Sequence, residues 1–193
     1  MNAPDLLRDK ILNAAERHML KFGYRKVTMD EIAQDLAMSK NTIYKQFASK
    51  EEIAKSLVKR LQQQLDGDLQ YIEETFKDPL EVFFHSIRLL RKQLGPWFAH
   101  FLREIPAELP NLWEEFLRYR NEKISGIRLL VEKGMRRKTF RKVNSAIAVE
   151  AYLGAVKAVV NPRFLEQEKL SFDAALEAVL DMWAHGLLRQ GGE

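Results

Sequence analysis

Within one run of six residues, Lys40, Asn41, Thr42, Tyr44 and Lys45 all carry side chains that donate hydrogen bonds. These are the groups that meet nucleic acid: amides and lysines read base edges, and hydroxyls and ammonium groups hold phosphate. The remaining member of the run, Ile43, is apolar. At about 100° per residue it shares one side of a helix with Phe47. Asn41 and Lys45 then fall on the opposite side, flanked by Thr42 and Tyr44. Such a helix has an edge to bury and a polar face shaped for a DNA major groove.

A helix this short must be held by its neighbours. Ser39 is placed to be its N-cap. Upstream, Thr28 and Glu31 form a Thr-x-x-Glu capping box that starts another helix. Met29, Ile32, Ala33 and Leu36 give that helix an apolar face at helical spacing. The gap from Leu36 to Ser39 admits only a turn, so the pair reads as a helix-turn-helix. Ser49-Lys50-Glu51-Glu52 is a second Ser-x-x-Glu box. It starts a further helix, sets Lys50 beside the same surface, and offers backbone N–H groups to a phosphate. A plain solvated helix also shows one apolar edge. The tandem caps, the fixed turn and the outward donor set argue against that simpler reading.

Charge is distributed in the same sense. Residues 1–60 hold 12 Lys and Arg against 8 Asp and Glu, and residues 61–193 hold 19 of each. The whole net charge of +4 therefore lies in the segment with the helix-turn-helix, as expected for a nucleic-acid module. The length suits one or two domains. No strand-like alternation persists, so the chain reads as all-α. There are no cysteines, which excludes disulfides and thiolate metal sites. The first ten residues lack the apolar stretch of a secretory signal, and no apolar run approaches membrane-spanning length. Together these predict a cytoplasmic protein with no membrane partner.

The remaining elements follow from periodicity and breakers. A first helix is expected from about Asp5 to Phe22, with Leu7, Ile11, Ala14, Ala15, His18 and Phe22 inward and Gly23 ending it. The helix from Lys50 continues through Leu57, Leu61, Leu65 and Leu69 toward Phe76, weakened locally by Gly67. Asp78-Pro79 starts another. Gly95-Pro96 is expected to break it, leaving a short segment from Trp97 to Arg103, and Pro106 and Pro110 bracket a turn. A long helix follows from about Asn111 to Arg137. The next begins at Asn144 or Ser145 and reaches Val160, before Asn161-Pro162. Ser171 caps the last, which ends near Arg189. In the final two helices Ala148, Ala151, Ala155 and Ala158 share one face, beside Gly154. Leu176, Val179, Leu180, Trp183 and Leu187 recur at helical spacing. Small residues allow close approach of helices, and the pair could meet its copy as a four-helix bundle. Burial within a single subunit fits the same pattern, and the sequence does not choose between them.

With these motifs in hand, the chain resembles the TetR family of bacterial transcriptional regulators. The residues that carry the likeness are Ala14-Ala15, Gly23-Tyr24, Thr28, Ile32-Ala33, Ser39, Thr42-Ile43-Tyr44, Phe47 and Ser49-Lys50-Glu51. They span about the first quarter of the chain; the rest matches in helical layout and length. The resemblance implies a head over residues 1–50, built as a three-helix helix-turn-helix. It implies a helical effector-binding and dimerisation domain over 51–193. It implies a homodimer on double-stranded DNA at a pseudo-palindromic operator, usually repressing and released by a small ligand. Carried across, Thr28, Lys40, Tyr44 and Lys50 contact phosphate, and Asn41, Thr42 and Lys45 face the groove. Three positions depart from the pattern. Ala37 stands where the family often has Gly, His18 where it usually has an apolar residue, and Gln46 where an aromatic is frequent.

If the analogy extends to the effector, Phe83, Phe84, Ile87, Trp97, Phe98, Phe101, Trp113, Phe116, Tyr119 and Tyr152 are the candidates to line its pocket. Few charges punctuate them, which points to an apolar or aromatic ligand. Ordinary core packing explains the same stripes. A regulator controlled by a protein partner, or one with no small-molecule effector, is the alternative. An enzyme is a poorer fit, since no H-E-x-x-H, Walker loop or G-x-S-x-G occurs. His100 and Glu104, one turn apart, are a weak metal pair, and no metal or cofactor is expected. The stretch 133–142 carries Lys133, Arg136, Arg137, Lys138, Arg141 and Lys142 and no acid. It could attract an acidic partner, although cations also simply suit a helix C-terminus.

Overall fold

In the computed structural model, residues 3–99, 101–159 and 161–188 are described, and they are helical with connecting turns. Among the described residues there are ten helices: α1 (Ala3–Phe22), α2 (Met29–Asp35), α3 (Lys40–Gln46), α4 (Lys50–Thr75), α5 (Pro79–Ala99), α6 (Phe101–Glu108), α7 (Pro110–Arg136), α8 (Ser145–Val159), α9 (Pro162–Gln167) and α10 (Phe172–Leu187). The all-α class expected from periodicity is what forms. The only pairing of extended backbone among these residues is an isolated bridge between Phe140 and Leu188.

The chain divides into two compact units. The first holds residues 1–71 and 88–119, the second 72–87 and 120–193. The boundary expected at residue 50 coincides with the start of α4, inside the first unit. That unit is organised around one apolar core. Ile11, Ala14, Ala15 and Met19 of α1 meet Ile32 of α2, Ile43 and Phe47 of α3, and Ile53 and Leu57 of α4. Trp97 of α5 and Phe101, Leu102 and Ile105 of α6 belong to the same core. Phe22, expected inward, is 44% exposed; it lies at the last position of α1, where the stripe runs off the core.

In the second unit, Val131, Phe140, Val149 and Leu187 form one cluster, and Phe83, Tyr152, Val179 and Leu180 another. The end of α7 explains part of this. Lys138 adopts a left-handed φ of 62°, and the N–H groups of Thr139 and Phe140 return to the carbonyl of Gly134. Phe140 thereby folds back over Gly134 so closely that a Cβ there would meet its ring at 2.1 Å. All six basic residues of 133–142 are exposed. Two have structural partners: Arg141 donates to the carbonyl of Gly186 at 2.5 Å, and Arg137 to that of Lys77.

Several boundaries differ from expectation. Gly95-Pro96 does not break α5, which runs on to Ala99 with Pro96 inside it. A proline forfeits one helical hydrogen bond, but Trp97, one residue on, is buried in the core, and that burial holds the helix together. Pro106 likewise lies within α6 rather than in a turn. Pro110, by contrast, opens α7. The six-residue α9 was not expected. Asn161 is its N-cap and Pro162 sits in its first turn, so this pair starts a helix. The side chain of Phe98, together with His100, Val160 and Arg189, lies outside the described residues.

Candidate nucleic-acid interface

The helix-turn-helix is built from its caps inward. At α2 the capping box is complete. The Thr28 hydroxyl accepts from the Glu31 N–H at 3.2 Å, and the Glu31 carboxylate accepts from the Thr28 N–H at 2.8 Å. The backbone bond first, then the hydroxyl of Thr28, holds the Glu31 carboxyl below its ordinary value. At α3 the Ser39 hydroxyl accepts from the Thr42 N–H at 3.1 Å. Between the two helices Ala37 takes a left-handed φ of 51°. Met38 N–H closes the turn on the carbonyl of Ala33 at 2.9 Å. This is the conformation that glycine adopts freely and alanine at a cost.

The phasing of α3 is as the sequence implies. Ile43 and Phe47 are fully buried, while Lys40, Asn41, Tyr44 and Lys45 are exposed. Thr42 is half-buried, and its hydroxyl pairs with that of Ser39 at 2.8 Å. Its side chain is therefore committed in part to the cap. Lys40 pairs with Asp30 of α2 at 2.5 Å, and this hydrogen bond raises its pKa. Thr28 is exposed, with its hydroxyl donating to Glu31 at 2.9 Å. Lys50 stands apart from the rest. It is half-buried, donates to the carbonyl of Tyr24 at 3.0 Å, and lies 4.2 Å from the centroid of the Tyr24 ring. Burial lowers its pKa.

One positioning residue escaped the sequence reading. Arg8 of α1 donates to the carbonyl of Gln46, the last residue of α3, at 2.5 Å. Its guanidinium lies 3.9 Å over the Phe47 ring and pairs with Glu52 of α4 at 3.2 Å. One side chain thus ties the C-terminus of α3 to α1 and α4. No motif flags this, because its partners lie 38 and 44 residues away. His18 is half-buried, with its Nε2 3.4 Å from Asp35, which Arg17 also pairs at 2.9 Å. The histidine that departs from the family pattern therefore has a polar partner.

The described residues expected to line a pocket are divided between the two units. Trp97, Phe101, Trp113, Phe116 and Tyr119 belong to the core of the first unit. Phe83, Phe84, Ile87 and Tyr152 belong to the second. Phe83, Phe101 and Phe116 are at most 3% exposed, and rings pack on rings, as for Trp97 and Phe101 at 5.2 Å and Phe83 and Tyr152 at 5.9 Å. Tyr119 donates to Asp66 at 2.9 Å. A cleft in the first unit of about 330 Å³ is lined by Glu52, Lys55, Ser56, Val58, Lys59, Gln62, Leu112 and Glu115, none of them an expected pocket residue. Of the expected dimer face, Ala148, Leu176, Val179, Leu180 and Leu187 are buried inside the second unit. Ala155 and Trp183 are half-buried, and Ala151 and Ala158 are exposed. Trp183 donates to the carbonyl of Ala148 at 2.6 Å.

Two capped helices, a closed turn between them and an outward face of Asn, Tyr and Lys define a DNA-binding protein of the helix-turn-helix class. Residues 11–57 match the family described as bacterial regulatory proteins, tetR family. The matched segment runs from α1 into the first turns of α4 and contains the helix-turn-helix. It is similar to YvaF, an HTH-type transcriptional regulator of Bacillus subtilis (strain 168), with 22% identity over 187 residues, covering 93% of this chain and 95% of that one. A TetR-family regulator from Agrobacterium tumefaciens has a like fold, with a TM-score of 0.77 at 18% identity over 96% of this chain and 100% of the other. So does a transcriptional regulator from Saccharomonospora viridis in complex with choline, with a TM-score of 0.77 at 18% identity over 95% and 98% of the two chains. Among the described residues no helix is long and apolar enough to cross a membrane.

Proposed function

We propose that this protein is a ligand-responsive cytoplasmic repressor that binds a pseudo-palindromic operator as a homodimer. The observation that carries the reading is the phasing of α3. Its apolar pair is fully buried while Asn41, Tyr44 and Lys45 stand exposed beside Lys40. Asn41 and Lys45 are assigned to base edges, with Thr42 contributing what its cap leaves free. Thr28, Lys40, Tyr44 and Lys50 are assigned to phosphate. Lys40 must exchange Asp30 for a phosphate oxygen as it binds. The head is residues 1–50, and the helices of 51–193 carry dimerisation and response.

The surface proposed for the dimer is the outer face of α8 and α10, which pack against each other. On α8 it comprises Ile147, Ala151, Gly154 and Ala158, and on α10 Ala174, Ala178, Met182 and Gly186, all exposed. Ile147 and Met182 are each 67% exposed. These residues recur every three or four positions and are mostly small, which suits close packing against a second copy. The effector is proposed to be a small molecule with apolar or aromatic character, admitted by rearrangement of the aromatic cores. That a similarly folded regulator holds choline supports a small-molecule response.

Selection from a pool of random DNA tests the proposal. The expected product is an inverted repeat whose half-sites are about one helical turn, roughly 34 Å, apart. Recovery of sequences with no shared half-site contradicts it.

A further inference from the structure

The turn between α1 and α2 runs through Gly23, Tyr24 and Arg25, and two carboxylates of α6 sit against it. Glu104 accepts the backbone N–H of Arg25 at 2.8 Å. Its carboxylate lies so close to Gly23 that a Cβ there would meet it at 2.7 Å, and Gly23 has a φ of 87°. One helical turn later, Glu108 accepts from Nε of Arg25 at 2.8 Å and pairs with its Nη2 at 2.7 Å. Lys50 faces the same turn through the carbonyl and ring of Tyr24. Glu108 and Glu104 are the leading charges that favour its ammonium form.

Arg25, three residues before Thr28, is paired with Glu108, and Lys50, at the start of α4, lies against the Tyr24 ring of the same turn. A guanidinium held by a carboxylate through Nε and Nη2 presents the donors that a phosphate accepts. We propose that Arg25 and Lys50 form a phosphate clamp flanking α3, that Glu108 holds the Arg25 guanidinium in the DNA-free protein, and that Glu104 adds its negative charge against the same turn. The inference rests on the assignment of residues 28–50 to DNA. A guanidinium already paired with a carboxylate releases fewer counterions when it reaches phosphate. The α6 pair therefore weakens DNA binding and flattens its salt dependence.

The test compares the full-length protein with the Glu104→Gln/Glu108→Gln variant on the selected operator between 50 and 200 mM salt. Glutamine keeps an oxygen to accept from Arg25 and removes the charge. The expected variant binds about 5- to 10-fold more tightly at the low-salt end, with the slope of log K against log salt steeper by about 1. Arg25→Ala should cost about threefold more affinity in a Glu108→Gln background than in the wild type, a coupling that loosening of the turn alone does not produce. Equal affinity and slope in wild type and double variant overturn the clamp. If the double variant melts without cooperativity, Glu108→Gln alone and its cycle with Arg25→Ala decide the question in the same way. Wild-type protein that selects no DNA overturns the DNA-binding assignment and the clamp with it.

Discussion

Ala37 sits at a φ of 51°, which costs an L-residue about 1–2 kcal/mol. Glycine would remove that cost but surrender about 0.4–1 kcal/mol to the unfolded chain. Ala37→Gly should therefore stabilise the protein by about 0.5–1 kcal/mol, read as a rise in Tm of about 2 °C. A lower Tm would show that the turn tolerates alanine without strain. Glu31 gives a second residue-scale expectation. Its folded pKa is lowered from 4.5 by the bonds from Thr28, so its contribution is present above that value. It is lost as pH falls through the lowered one. Glu31→Gln should reduce stability at pH 7 in urea melts, and the gap from wild type should close as pH falls below about 4. At this scale the sequence was readable where a residue acts on its neighbours. The capping pairs and the doubtful Ala37 were legible because their partners lie within four residues. Arg8, Glu104 and Glu108 were not, because their partners lie across the fold.

At the scale of elements, α3 is held by burial on one side and by Arg8 at its end. Arg8→Ala should remove the hydrogen bond to Gln46 and the stacking on Phe47. The expected cost is about 1–2 kcal/mol, with faster amide exchange in α3 than in α1. Protection unchanged in α3 would assign its order to Ile43 and Phe47 alone. Gly134→Ala should destabilise the second unit by at least about 2 kcal/mol, since the new Cβ must displace the Phe140 ring. A near-neutral melt would show that Phe140 can move aside. Proline was the least reliable sign at this scale. Pro110 starts a helix, but Pro96 and Pro106 lie within helices. A lost hydrogen bond is a local cost, and burial of Trp97, Phe101 and Ile105 nearby outweighs it.

For the whole molecule, periodicity revealed which residues leave water but not which surface covers them. The apolar stripe of α10 was compatible with a subunit interface or with the interior. Val179, Leu180 and Leu187 went to the interior, and the interface proposed above is the outer face of α8 and α10. Ala151→Glu should yield a monomer in sedimentation while keeping the helical circular dichroism, and should lose operator affinity. A variant that remains dimeric would move the interface elsewhere. The aromatic stripes were ambiguous in the same way, and the rings fill two cores. The most direct test of the account is the ratio of operator to scrambled-DNA affinity at one fixed salt concentration. It is measured for wild type, Tyr44→Phe, Asn41→Ala and Lys45→Ala. Asn41→Ala and Lys45→Ala should lower that ratio by about 1–3 kcal/mol in free-energy terms. Tyr44→Phe should weaken both affinities alike and leave the ratio unchanged. Uniform, sequence-independent losses from all three variants would contradict α3 as the helix that reads DNA.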